Sequence, residues 1–211
     1  MSYQKTNDFN HILKGRRSVK DYDTSVKISR EEMTEILETA TRAPSSVNMQ
    51  PWRFVIVESD EAKAKLKPLV RFNQNQLATS AAMIAIFGDL KNFEKGEEIY
   101  SKAVELGYMP QEVKDDIFQA YTPYYESIPR DKMKDVVLID GGLVAMQIML
   151  TARAHGYDTN PIGGFEKDQV ADALGLDAER YVPVMLLSIG KSNKEGHQSY
   201  RLPVEQITEW Q

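Results

Sequence analysis

Apolar residues recur along the chain with two periods. Met33, Ile36, Leu37 and Ala40 share one face at helical spacing, and Ser29 followed by Glu32 forms a capping-box pattern. This predicts a helix opened by Ser29 and ended by Pro44. A shorter helix is predicted over 7–15, capped by Asn7 or Asp8 and stopped by Gly15. Near-continuous apolar runs at 53–58 and 82–88 predict two strands buried on both faces, and 182–189 predicts a third, with Pro183 near its start. Short helices are predicted over 60–67, 73–79 and 166–174, and a loop over 158–165.

Two longer stretches differ from this pattern. Val136 to Leu150 is almost wholly apolar but shorter than the roughly 20 residues that span a bilayer, and it carries Asp140 and Gln147. It predicts the middle of a long helix over 131–156, stopped at Gly156 and buried on nearly all sides. Residues 94–127 mix charge with aromatics, among them Tyr100, Phe118, Tyr121 and Tyr125. They predict two helices, broken near Gly107–Pro110 and ended near Pro129. This segment reads either as a peripheral cover or as a lid whose aromatics shape a substrate mouth. In the tail, 191–211, Leu202, Pro203, Val204, Ile207 and Trp210 favour packing on a partner over disorder. Without a repeat or a clear linker, the whole chain, 1–211, reads as one α+β domain.

Composition narrows the chemistry. The chain has 211 residues, 42% hydrophobic and 27% charged, with a net charge of −5 that argues against nucleic-acid affinity. It has no cysteine, so disulfides, thiolate metal sites and cysteine nucleophiles are excluded together, and any redox chemistry belongs to a cofactor. The opening MSYQKTNDFN has no apolar core, so no secretory signal is expected, and a cytoplasmic protein without a membrane partner is. His11, His155 and His197 lack metal-ligand spacing, and no GxGxxG, P-loop or GxSxG is present.

In this acidic chain the cluster Lys14, Arg16, Arg17, Lys20 stands out. Arginine forks suit a phosphate, and Ser18 adds a hydroxyl; a solvated charged turn is the alternative. Arg201 is either a distant second phosphate ligand or a surface arginine. Pro44 and Pro51 fix the loop between them, where Ser45, Ser46, Asn48 and Gln50 present hydroxyls and amides that keep their charge state near neutral pH. That set suits a neutral ligand with many hydrogen-bonding edges rather than acid–base chemistry or a metal. Gly163–Gly164 either lets backbone N–H groups approach a planar ligand or is simply a turn.

Four segments in order, Arg16–Tyr22, Ala43–Phe54, Pro161–Phe165 and Arg201–Pro203, resemble the FMN-dependent nitroreductase family across residues 9–205. The resemblance implies a central mixed β-sheet flanked by helices, in an intertwined homodimer whose C-terminal extension embraces the partner. It implies FMN at the subunit interface, with NAD(P)H as co-substrate. Arg16 and Arg201 would hold the FMN phosphate, with Arg17 beside them and Ser18 at the phosphate or ribityl chain. Lys20 would face N1 and O2, stabilising charge there on reduction. Pro44, Ser45, Ser46 and Asn48 would approach from the other subunit. Asn73 and Gln76 would bond the pyrimidine ring, with Asn75 a rival for either role, and Ile162, Gly163 and Gly164 would lie near N5 and O4. Many members carry glutamate where Gly163 stands and a basic residue where Ser199 stands; Lys191 or Lys194 could substitute for the latter.

What the resemblance implies chemically is hydride passage from NAD(P)H through flavin N5 to a nitroaromatic, quinone or similar small aromatic acceptor, in a ping-pong cycle that needs no catalytic side chain. The alternatives are a family member with another flavin task, such as reductive dehalogenation, or a non-catalytic flavin-binding sensor.

Overall fold

In the computed structural model, which describes residues 5–192 and 194–211, four strands form one sheet. They are β1 (Trp52–Val57), β2 (Ala82–Asp89), β3 (Asp158–Ile162) and β4 (Tyr181–Gly190), in the order β1-β2-β4-β3. β2 and β4 are central, which is why Ala82 to Phe87 are all buried. Every strand pair is antiparallel. The parallel part of the expected mixed sheet is a single bridge from Ser18 to Thr159 on the outer side of β3.

Among the described residues eight α-helices surround the sheet: α1 (Phe9–Gly15), α2 (Arg30–Ala40), α3 (Asp60–Leu66), α4 (Gln74–Thr79), α5 (Gly96–Glu105), α6 (Gln111–Ser127), α7 (Arg130–Ala154) and α8 (Lys167–Ala173). Side-chain oxygens cap three of them. Asp8 accepts from His11 N (3.1 Å), Ser29 from Glu32 N (3.1 Å) and Ser59 from Ala62 N (3.2 Å), each cap contributing about 1 kcal/mol.

Alternation along β2 divides the core. Ile84 and Ile86 join α2, α7 and β4 residues on one face, while Met83, Ala85 and Phe87 meet Leu66, Leu69, Leu77 and Val170 on the other. α7 approaches the sheet where side chains are missing. A Cβ built on Gly88 would lie 2.6 Å from Val137, and one on Gly141 would lie 2.5 Å from Val184. Val184 is the extra residue of a bulge, because Ile86 pairs with Met185 and Phe87 with Pro183. The bulge also accommodates Pro183 in a central strand.

Three expectations change. Residues 158–162 form β3 rather than a loop; Pro161 fits because β3 is an edge strand and this proline is exposed, with no N–H demanded on the open side. β1 is not buried on both faces: it too is an edge strand, Arg53 is exposed and only Val57 is fully covered. α7 has the length and apolarity to cross a membrane, yet lies against α2 and the sheet, and it is not buried all round. Ile139 and Leu143 face outward, Ile139 at 66% exposure. In the tail, the apolar side chains Leu202, Val204, Ile207 and Trp210 are all exposed on the chain's own surface.

Candidate active site

The segment after α1 is drawn along β3 by its backbone. Val19 N donates to Thr159 O (3.1 Å), and the Tyr22 hydroxyl donates to Val19 O (2.7 Å) beside Ser188 Oγ (2.7 Å). Burial pushes that hydroxyl's pKa up, so it remains a neutral anchor.

Held in this way, Arg16 lies near enough to Arg201 for the two positive charges to act on each other. Burial first, then the charges of Arg201 and Arg17, pull the Arg16 pKa down. Among the described residues Arg16 Nε is buried without a hydrogen-bond partner. Like charges that act on each other, one with an unpaired buried donor, are costly unless an anion joins them. Arg201 is itself oriented by Ser199 Oγ (2.7 Å) and Tyr200 O (3.1 Å). Arg17 turns the other way: its Nη1 donates to Lys14 O (2.6 Å) and Arg16 O (2.9 Å), closing the end of α1.

Ser18 and Lys20 are exposed and line a cleft of about 360 Å³ with Ser192, Lys194 and His197. Lys194 Nζ lies 3.9 Å from Asp21. α4 joins this strip to the loop after β3. Asn75 Nδ2 donates to Lys20 O (2.6 Å) and Asp21 Oδ1 (3.2 Å). Asn73 Nδ2 donates to Gly164 O (3.1 Å), and buried Gln76 donates to Asn73 Oδ1 (3.0 Å). Asn73, Gln76 and Gly164 thus form one unit, and Asn75 positions Lys20. Gly163 and Gly164 are exposed and follow buried Ile162, the last residue of β3. A Cβ on Gly163 would meet nothing within 4 Å, and one on Gly164 only Asn73 Nδ2 at 3.8 Å. Among the described residues no packing requires glycine at either position.

The loop from Pro44 to Gln50 lies elsewhere. It leads into β1, on the opposite edge of the sheet from β3. Val47, Asn48 and Gln50 have φ of 42°, 55° and 48°, backbone that non-glycine residues rarely adopt and that concentrates at functional sites. Ser46 donates to the buried Asp140 carboxylate from its N–H (3.0 Å) and hydroxyl (3.3 Å), Ser45 Oγ accepts from Gln50 N (3.0 Å), and the Tyr100 hydroxyl donates to Val47 O (2.7 Å). Trp52 Nε1 adds a bond to Asp140 O (3.0 Å). Pro44 and Asn48 are exposed. Behind the loop, Met49, Phe118, Tyr121 and Tyr125 line an apolar cavity of about 120 Å³ between α5 and α6.

One chain therefore gathers Arg16, Arg201, Ser18, Lys20, Asn73, Gln76 and Gly164 along one edge. It leaves Pro44, Ser45, Ser46 and Asn48 at the other. Sequence reasoning missed Asp140 as the anchor of the loop, although an acid inside an apolar helix was the available signal. It also missed Tyr100 as the second anchor. Among the described residues no group of three histidines or carboxylates could hold a metal.

The nitroreductase family profile matches residues 13–191. YdgI of Bacillus subtilis (strain 168), named as a candidate NAD(P)H nitroreductase, is 65% identical over 206 residues, covering 98% of this chain and 99% of that protein. The chain belongs to the nitroreductase family. This nitroreductase also superimposes on a crystal structure of a candidate nitroreductase from Exiguobacterium sibiricum in complex with FMN. The TM-score is 0.96 and the identity 60%, over 99% of this chain and 100% of the other. The enone reductase of CLA biosynthesis from Lactiplantibacillus plantarum is 40% identical over 190 residues, 90% of this chain and 88% of its own.

Proposed function

We propose that this nitroreductase is an FMN-dependent oxidoreductase that draws on NAD(P)H and reduces nitroaromatic, quinone or similar conjugated acceptors by a ping-pong cycle. The observation that carries the reading is Arg16, whose Nε is buried without a hydrogen-bond partner among the described residues, near enough to Arg201 for the two positive charges to act on each other. A phosphate monoester supplies the missing charge and acceptors. FMN, when bound, supplies hydride acceptance from the nicotinamide and its delivery to the acceptor.

The chain's own residues do the rest. Arg16 and Arg201 fix the phosphate. Lys20, steadied by Asn75, brings a cation to the same strip, where it favours an anionic ring edge. Asn73, Gln76 and the Gly164 backbone offer amide edges, and the open space over Gly163 and Gly164 admits a planar group. No side chain on this strip is arranged as a nucleophile with its base.

A homodimer completes the arrangement. The Pro44–Asn48 loop stands on the edge opposite Arg16, exposed apolar residues remain on α7 and the tail, and both suit a second copy of the chain. Residues 94–127 then act as a lid near that loop. Because one relative is named for enone reduction, activated alkenes belong among the acceptors tested.

The test is a visible spectrum of the purified protein, release of FMN on denaturation, and oxidation of NADH and NADPH with nitrobenzene, a quinone and an enone. About one FMN per chain with acceptor-dependent oxidation supports the reading. Bound FMN without NAD(P)H oxidation would favour a sensor, and failure to take up FMN would sink it.

A further inference from the structure

Next to Lys20 stands an acid that the proposed chemistry does not use. Asp21 lines the same cleft as Ser18 and Lys20, and both Lys20 and Asp21 are exposed. A carboxylate paired with Lys20 would cancel the cation offered to the flavin edge, and more strongly once a planar ligand covers the cleft and excludes water. The two residues do not pair. Among the described residues the Lys20 ammonium has no hydrogen-bond or ion-pair partner, while both oxygens of Asp21 are engaged elsewhere, Oδ1 by Asn75 and Oδ2 by Lys194 at 3.9 Å.

Asn75 makes this separation. A side-chain amide has two N–H donors. Asn75 Nδ2 directs them to Lys20 O (2.6 Å) and to Asp21 Oδ1 (3.2 Å), so one group fixes the backbone of the lysine and holds the carboxylate beside it. Thr79 lies four residues on, on the same face of α4. Its Oγ1 accepts from Tyr22 N (3.3 Å) and donates to Asn75 O (2.8 Å). Tyr22 is anchored in turn on Ser188. The segment 20–22 is thus clasped at two points by α4 and at a third by β4, which leaves Asp21 little freedom to turn toward Lys20. Neither Asn75 nor Thr79 is fully buried, so the clasp is not there to complete the core.

We propose that Asn75 is a positioning residue for the redox potential of the bound flavin: it holds the Asp21 carboxylate off Lys20 and leaves the lysine's charge to stabilise the negative charge that reduction brings to the ring. The inference rests on the proposed flavin site.

The experiment reduces the FMN-loaded protein slowly in the presence of a reference dye and reads both in the visible spectrum. The potential reports the ratio of affinities for reduced and oxidised FMN, so turnover is not needed. Asn75→Leu keeps the bulk and removes both donors. It is expected to shift that ratio about tenfold toward oxidised FMN, a fall of about 30 mV for a two-electron couple. Asn75→Ala is expected to behave alike, so the result does not hang on the bulk of leucine. Asp21→Asn alone is expected to change the ratio less than about threefold, and in the Asn75→Leu background to bring it back to within about threefold of wild type, because the carboxylate that would pair with Lys20 is gone.

An unchanged potential in both Asn75 variants overturns the proposal. A fall that Asp21→Asn does not reverse also overturns it, since a general loosening of α4 would act whether or not residue 21 is charged. Either result with FMN bound leaves the proposed function standing. A wild-type chain that takes up no FMN overturns both.

Discussion

Ser46 gives both its N–H and its hydroxyl to the carboxylate of Asp140, ninety-four positions along the chain. Burial pushes the Asp140 pKa up, and the two bonds from Ser46 pull it partly back. A carboxyl with a raised folded pKa holds its proton more readily in the fold than in the unfolded chain. Its contribution to stability is therefore greatest at low pH and declines as pH rises from the unfolded value, about 3.9, through the folded one. Asp140→Asn should flatten that part of the stability profile, measured by urea unfolding from about pH 4 to 7. Asp140→Leu should lose about 1–3 kcal/mol by leaving Ser46 N–H unpaired. Identical profiles for wild type and Asp140→Asn would rule out titration of this carboxyl.

Arg201→Ala separates holding a ligand from holding the fold. In the absence of FMN it removes a like charge facing Arg16, so the apoprotein should be no less stable. FMN affinity should fall by roughly 1.5–3 kcal/mol, the size of a lost charge-assisted bond. Isothermal titration with FMN and thermal unfolding of the apoprotein give the two signs. Unchanged affinity removes Arg201 from the phosphate site.

Gly141→Ala tests how closely α7 lies on the sheet. The added methyl would fall 2.5 Å from Val184 Cγ2, on a bulge that leaves little room to yield. A loss of about 1–3 kcal/mol in chemical unfolding is expected. Gly142→Ala, one residue away and with nothing within 4 Å of its Cβ, is the matched control and should be neutral or slightly stabilising through helix propensity.

Much of this layout is legible in local patterns. Ser29 and Glu32 mark the start of α2, and Ala82–Gly88 can only be a central strand because every position is apolar. β3 was hidden because Asp158, Asn160 and Pro161 have low strand propensity, and only pairing with β4 makes the segment a strand. The proposed phosphate ligands Arg16 and Arg201 stand out as basic residues in an acidic chain, but Arg17 looks equivalent to Arg16 until the end of α1 claims it. Asn75 and Asn73 are indistinguishable in sequence; α4 turns one toward Lys20 and the other toward Gly164.

Removing residues 202–211 should shift the proposed dimer toward monomer in sedimentation velocity. Leu202, Val204, Ile207 and Trp210 are exposed on the chain's own surface, Trp210 at 93%, and each side chain buried on a partner would contribute about 1.5–3 kcal/mol. A truncated chain that stays dimeric assigns the tail another role.

The opposite-edge placement of Arg16 and the Pro44–Asn48 loop has a genetic consequence. If each flavin takes its phosphate grip from one chain and its loop contacts from the other, two inactive alleles need not add up to an inactive cell. A chain disabled at Arg16 and a chain disabled at Ser45 and Asn48 should complement when co-expressed. In their mixed dimer both lesions fall on the same cofactor, and the other cofactor is left intact.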